Sequence, residues 1–229
     1  MRSLWLVLLA GAILTGLIRP AQAQATPGQA VYAVTSFDVA PAQFGKAADL
    51  LRQFAAATRK EDGNIELTAL DEVGRTSRFV IIEAWRDKAR FDAHGAAMKA
   101  LGDELQPFFI APFSTRPYAA LSVAATPPDA NLGTAMYVVT HVDVFPAGKD
   151  ETNAAVKQLA ADSRKDKGEE RFDALIWEEH PNHFELIEAW TNHQARETHA
   201  LADHTKAFRA KLTPFEGAPY DERLYEVVR

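Results

Sequence analysis

Two stretches of the chain, "AVYAVTSFDV" from Ala30 and "AMYVVTHVDV" from Ala135, are dense in β-branched and aromatic residues and run up to a proline. Runs of this kind read as strands buried on both faces. After each, apolar and small residues fall three and four apart: Phe44, Ala47, Leu51, Phe54 and Thr58 in one case, Thr152, Val156, Leu159 and Ser163 in the other. That spacing predicts a helix with one face on a core, and Gly63 and Gly168 stand where it should stop. Two further strands follow, "NIELTALDEV" with "RFVIIEAW" and "ERFDALIWEE" with "HFELIEAW", joined by the turn-rich "GRTS" and "HPN". A second helical region halted near Pro107 or Pro214 and a closing strand, "RPYAALSV" or "ERLYEVV", complete each pattern. The order β-α-β-β-α-β, met twice, is the split βαβ of the ferredoxin-like class.

The two patterns are copies. Tyr137 lies 105 positions after Tyr32, as Gly168 does after Gly63, Trp190 after Trp85 and His199 after His94; 21 of the 64 gap-free columns from Val31 to His94 are identical. A repeat this long is a whole small domain rather than a solenoid unit. The expected organisation is a unit over 26–124, a Pro- and Gly-containing linker over 125–133 and a second unit over 134–229. One such unit leaves a sheet face bare, and two in one chain cover each other. The fold class is therefore α+β, with two ferredoxin-like units packed sheet to sheet as an intrachain dimeric α+β barrel.

Composition narrows the function. Arg2, the apolar run from Leu4 to Ile18 and Ala21-Gln22-Ala23 have the parts of a secretory signal over 1–23, so a periplasmic or secreted protein is expected. The chain has no cysteine, so stability has to come from packing rather than disulfides. Net charge is −6, or −8 once Arg2 and Arg19 leave with the signal, which argues against nucleic acid or anionic membrane as a partner. Neither a Gly-x-Ser-x-Gly elbow nor a dinucleotide or phosphate loop is present.

Strand ending in Asp-Val-x-Pro, helix ending in Ser/Thr-Arg-x-x-x-Gly, strand pair ending in Glu-x-Trp, and His nine residues on: this ordered set, present twice, resembles the antibiotic biosynthesis monooxygenase superfamily. The resemblance implies cofactor-free oxygenation of a small aromatic, phenolic or quinone-like ligand in a cavity between sheet and helices. Heme-degrading relatives differ from this chain, which has Ser36 and His141 where they carry Asn and His94 and His199 where they carry Trp. Heme cleavage is thus disfavoured, while binding of heme or another hydrophobic molecule without turnover stays open as the alternative. No cofactor is expected otherwise, and the intrachain pseudo-dimer leaves room for further oligomerisation.

Each candidate residue has a structural reading beside the functional one. Glu83 and Glu188 lie among apolar strand residues; they either pair with Arg59 and Arg164 or act as orienting acids. Trp85 and Trp190 are core aromatics or, with Trp177, walls for a flat ligand. His94 and His199 either cap the strand-to-helix corner through backbone groups or deprotonate a phenol near pH 7. Six of the seven histidines lie in the second unit, which makes His199 the first choice for the base and the first unit, with His94, the weaker copy. His141 shares a strand face with Tyr137, Val139 and Asp143, where it either brackets the ligand with His199 or sits inside the barrel. Neither the five-residue spacing of His199 and His204 nor "HPNH" matches a known ligand pair, so no metal is expected.

Overall fold

The computed structural model describes residues 30–75, 77–124 and 134–229; the expected signal and linker lie outside them. Eight strands, β1 (Val31–Val39), β2 (Asn64–Glu72), β3 (Arg78–Trp85), β4 (Phe109–Ser122), β5 (Met136–Asp143), β6 (Glu169–Ile176), β7 (His183–Trp190) and β8 (Asp221–Val227), close into one antiparallel barrel in the order β1-β3-β2-β8-β5-β7-β6-β4. Five helices lie outside: α1 (Phe44–Thr58), α2 (Lys88–Leu105), α3 (Lys149–Ser163), α4 (His193–Ala200) and α5 (Asp203–Leu212). Within each unit the strand order is that of the expected split βαβ. The units join edge to edge through short ladders of β4 with β6 and β2 with β8, which close the barrel.

Alternation along the strands sorts side chains into three cores. Phe37, Val39, Leu67, Phe79 and Ile81 meet Ala47, Leu51 and Ala55 of α1 on the outer face of the first unit. Phe172, Phe184 and Leu186 meet Val156 and Leu159 of α3 in the second. The other strand parity, Val34, Leu70, Val80, Ile82, Tyr137, Val139, Leu175 and Ile187, fills the barrel. Each large side chain so buried contributes about 2 kcal/mol of transfer free energy, enough for a cysteine-free chain to hold together. The first helix of each unit stops earlier than expected, at Thr58 and Ser163 with Arg59 and Arg164 as right-handed C-caps; Gly63 and Gly168, at φ +83° and +87°, instead turn the chain into β2 and β6 in the left-handed region that favours glycine.

Among the polar contacts that cross between the units inside the barrel, the most buried centres on Arg171. Arg171 is 3% exposed; its Nη1 reaches Glu66 Oε1 at 2.5 Å and its Nε donates to Asp173 Oδ2 at 2.7 Å. Glu66 belongs to the first unit and Arg171 to the second, so the ion pair ties the halves in one register.

Candidate active site

The capped start of α2 places the histidine. Asp87 accepts a hydrogen bond from Arg90 N at 3.0 Å, Asn192 accepts one from Ala195 N at 3.0 Å, and the two caps are related by the same 105 positions. Seven residues on from each cap, His94 and His199 turn inward onto the sheet. Their rings pack on the preceding tryptophans, tilted with centroids 4.5 Å apart for Trp85–His94 and stacked at 4.6 Å for Trp190–His199.

Both tryptophans are buried, at 1% and 0% exposure, and both indole Nε1 atoms donate to the glutamate two residues earlier: Trp85 to Glu83 Oε2 at 2.9 Å, Trp190 to Glu188 Oε2 at 2.8 Å. This corrects two expectations. Arg59 and Arg164 do not pair with the glutamates, because their guanidinium groups are spent on the carbonyls of Leu67 and Phe172. The indoles take the core reading, as buried props that fix the glutamates. Nor do the histidines cap backbone: His94 Nδ1 lies 3.0 Å from Glu61 Oε2, and His199 Nδ1 lies 2.8 Å from Asp166 Oδ2.

Where the copies differ is in the space beside this constellation. In the first unit a cavity of about 510 Å³ opens between α2 and β4, lined by Glu83, His94, Met98, Phe109, Phe113 and Thr115 among others. His94 Nε2 and Glu83 Oε1 are both buried there without a hydrogen-bond partner, and His94 Nε2 stands 3.5 Å from Glu83 Oε2. Buried polar atoms of this kind call for a partner. Burial pushes the Glu83 carboxyl above its usual range, and the Trp85 hydrogen bond and His94 work against that rise.

The second unit is two residues longer between its histidine and the short 3-10 turn before its last strand: the turns at Gln106–Phe108 and Thr213–Phe215 are 107 apart, not 105. The helix breaks at Leu201 and Ala202 into α4 and α5. In this register Arg209 replaces Gly102 and Tyr220 replaces Phe113, and the Arg209 guanidinium lies 3.5 Å over the Tyr220 ring. Tyr220 comes close enough to Glu188 that, after burial, the Glu188 carboxylate helps push the Tyr220 phenol up. Burial pushes the Glu188 carboxyl up to about 7, against the Trp190 hydrogen bond and Arg196. Burial also pulls the His199 imidazole below its ordinary pKa, against the pull of Asp166. The cavity borders Glu83 and His94, in the unit that histidine count ranked second. Gly102, which lines it, carries no chemistry of its own, and only the two-residue shift in register reveals its counterpart.

His141 and Trp177 do not join His199. His141 faces the barrel side of β5, with Nδ1 3.0 Å from Glu185 Oε2, while His199 lies on the outer face of the same sheet. Trp177 packs at the barrel mouth, its ring 5.2 Å from the Arg116 guanidinium. Two trios of possible metal ligands also converge from distant positions, His141 with Asp143 and His183, and Asp166 with His199 and His204. Spacing along the chain could not show either.

Comparison with known proteins agrees with this architecture. The profile of the family described as "Antibiotic biosynthesis monooxygenase" matches residues 30–99 and 135–211, well over half of the chain. Among solved structures, a "putative monooxygenase" of Fusobacterium nucleatum shares 16% identity over 88% of this chain and 94% of its own, with TM-score 0.79. A protein of the same designation from Lactobacillus acidophilus gives 15% identity, 88% and 95% coverage and TM-score 0.73. An anthrone oxidase-like protein gives 16%, 88% and 92%, with TM-score 0.63. No curated protein matches the chain by sequence. At these identities the structures speak for the fold, and the doubled profile match speaks for the family: the chain belongs to the antibiotic biosynthesis monooxygenase family, as a tandem member that builds its barrel from two copies of the domain.

Proposed function

We propose that the protein is an exported, cofactor-independent monooxygenase that oxidises a phenolic, quinol or polycyclic aromatic compound in the cavity of the first unit. The observation that carries this reading is the pair of unpartnered buried atoms, His94 Nε2 and Glu83 Oε1, at the edge of an apolar, ligand-sized space. With Glu61 accepting from Nδ1–H, the free lone pair of His94 sits on Nε2, where a phenol or enol hydroxyl can deliver its proton. The resulting phenolate or enolate is electron-rich enough to reduce O2 directly. For an anthrone-like methylene the balance is R2CH2 + O2 → R2C=O + H2O: one oxygen atom enters the carbonyl, the other leaves as water, and the substrate supplies the electrons. Glu83, held by the Trp85 indole, has an oxygen left over to orient the hydroxyl. Phe109, Phe113 and Met98 present apolar surface to the rings. The leader-like residues 1–23 support export.

The test is turnover of anthrone, dihydroxynaphthalene and hydroquinone under 18O2 with the purified full-length chain. One labelled oxygen in the product and one O2 consumed per substrate support the reading. Tight binding of these compounds, or of heme, with no O2 uptake would make the cavity a carrier site instead.

A further inference from the structure

The duplication offers an internal control for every residue, and one place fails it in an informative way. At the mouth of the barrel in the first unit, Asp38 on β1 is directly opposite Arg78 on β3. Arg78 Nε and Arg75 Nη2 lie 3.2 and 3.3 Å from its carboxylate oxygens, an ordinary carboxylate held by two guanidinium groups. In the second unit, at the same offset of 105, Asp38 has become Asp143, but Arg75 has become His180, Arg78 has become His183, Ser36 has become His141 and Val80 has become Glu185. Both permanent cations around the aspartate are gone, and three imidazoles and a second carboxylate have taken their surroundings.

The strands hold this set rigidly. His141 and Asp143 share one face of β5; on β7 their direct partners are Glu185 and His183. His141 Nε2 is 3.1 Å from Asp143 Oδ1, His183 Nδ1 lies against that same oxygen, and all three ligand atoms fall within 4.8 Å of one another. Asp143 Oδ1 and His183 Nδ1 are shut off from solvent and lie against each other, with His141 Nε2 beside them. His141 Nδ1, 3.0 Å from Glu185 Oε2, is fixed by a carboxylate that itself accepts from Tyr118 at 2.8 Å. A carboxylate behind a histidine that points its other nitrogen forward is the usual support of a metal ligand. Ligand atoms on a tetrahedral Zn2+ stand about 3.4 Å apart, given metal–ligand distances near 2.1 Å; His141 Nε2 and Asp143 Oδ1, 3.1 Å apart, are already near that spacing, whereas His183 Nδ1 has to back away from Asp143 Oδ1 to admit the ion.

We propose that His141 Nε2, Asp143 Oδ1 and His183 Nδ1 bind a divalent first-row transition ion such as Zn2+ or Co2+, in place of the guanidinium cations of the first unit. The site is separate from the Glu83–His94 cavity, being in the other unit and on the inner face of the sheet. The three side chains keep 20–25% exposure at the barrel mouth, which leaves the ion a way in and room for water. One group opposes it: Arg116 Nη1 lies 2.8 Å from His141 Nε2 and must withdraw toward Trp177, over whose ring it already lies.

The test is titration of the chelator-treated full-length protein with Co2+, followed by calorimetry and by the visible absorption of nitrogen-ligated Co2+. One equivalent should bind. His183→Arg rebuilds the pair of the first unit and should weaken binding by at least about tenfold with the thermal transition kept, as should Asp143→Asn. Arg116→Ala should tighten it. His204→Ala should leave it unchanged, because that residue belongs to the other trio. Absence of stoichiometric binding, binding indifferent to His183→Arg, or binding lost in His204→Ala would each overturn the proposal.

Discussion

Glu188 and Glu83 are the same residue in two copies, and their surroundings give them different work. Glu83 borders the cavity of the first unit, whereas Glu188 lies beside Tyr220 with its carboxyl pushed up to about 7 from 4.5. A carboxyl whose pKa is higher folded than unfolded favours the fold at low pH. Its contribution is fully present below about pH 4.5 and is lost as pH rises through about 7; this is a loss of about 3 kcal/mol at 1.36 kcal/mol per unit. Glu188→Gln does not titrate. The stability of the variant relative to the parent should therefore improve by up to about 3 kcal/mol between pH 5 and pH 8. Urea midpoints at the two pH values measure this, and parallel pH profiles would show that Glu188 is ionised without cost.

At the scale of elements, the difference between the copies lies in one helix. α2 runs unbroken past the cavity with Gly102 facing Phe113, while its counterpart is split and carries Arg209 over Tyr220. Gly102→Arg should transplant the closed state into the first unit. Aromatic ligands should then bind at least about tenfold more weakly, while stability holds or rises by about 1 kcal/mol because a helix-interior glycine is removed. Ligand titration beside a thermal melt separates the two effects, and undiminished binding would show that ligands enter elsewhere. Helices and strands were legible in the sequence because burial follows periods of 3.6 and 2: Leu51 and Leu159 sit on buried helix faces as their spacing implies. The cavity was not legible, because it depends on which of two residues 107 apart is glycine. The trio of His141, Asp143 and His183 was hidden for a related reason, since strand pairing rather than chain spacing brings it together.

The whole molecule is one closed barrel, and its halves depend on each other through β4 with β6, β2 with β8 and the buried Arg171 cluster. Removing one partner of a buried ion pair leaves the others charged without compensation, which costs about 3–5 kcal/mol. Arg171→Ala should lower stability by that amount, as read from chemical denaturation, even though the residue is far from His94 and its cavity. A loss below about 1 kcal/mol would mean that Glu66 and Asp173 are not held as a charged pair by Arg171.

One copy of the duplicated constellation borders the cavity proposed for chemistry, while the other packs beside Tyr220. The most direct measurement is O2 consumption with an anthrone or quinol substrate by two variants related by the repeat, His94→Gln and His199→Gln. Loss of a general base costs about 10²- to 10⁴-fold, so His94→Gln should lose turnover by that factor while His199→Gln keeps most of it. Unchanged turnover in His94→Gln, or its collapse in His199→Gln alone, would contradict the account.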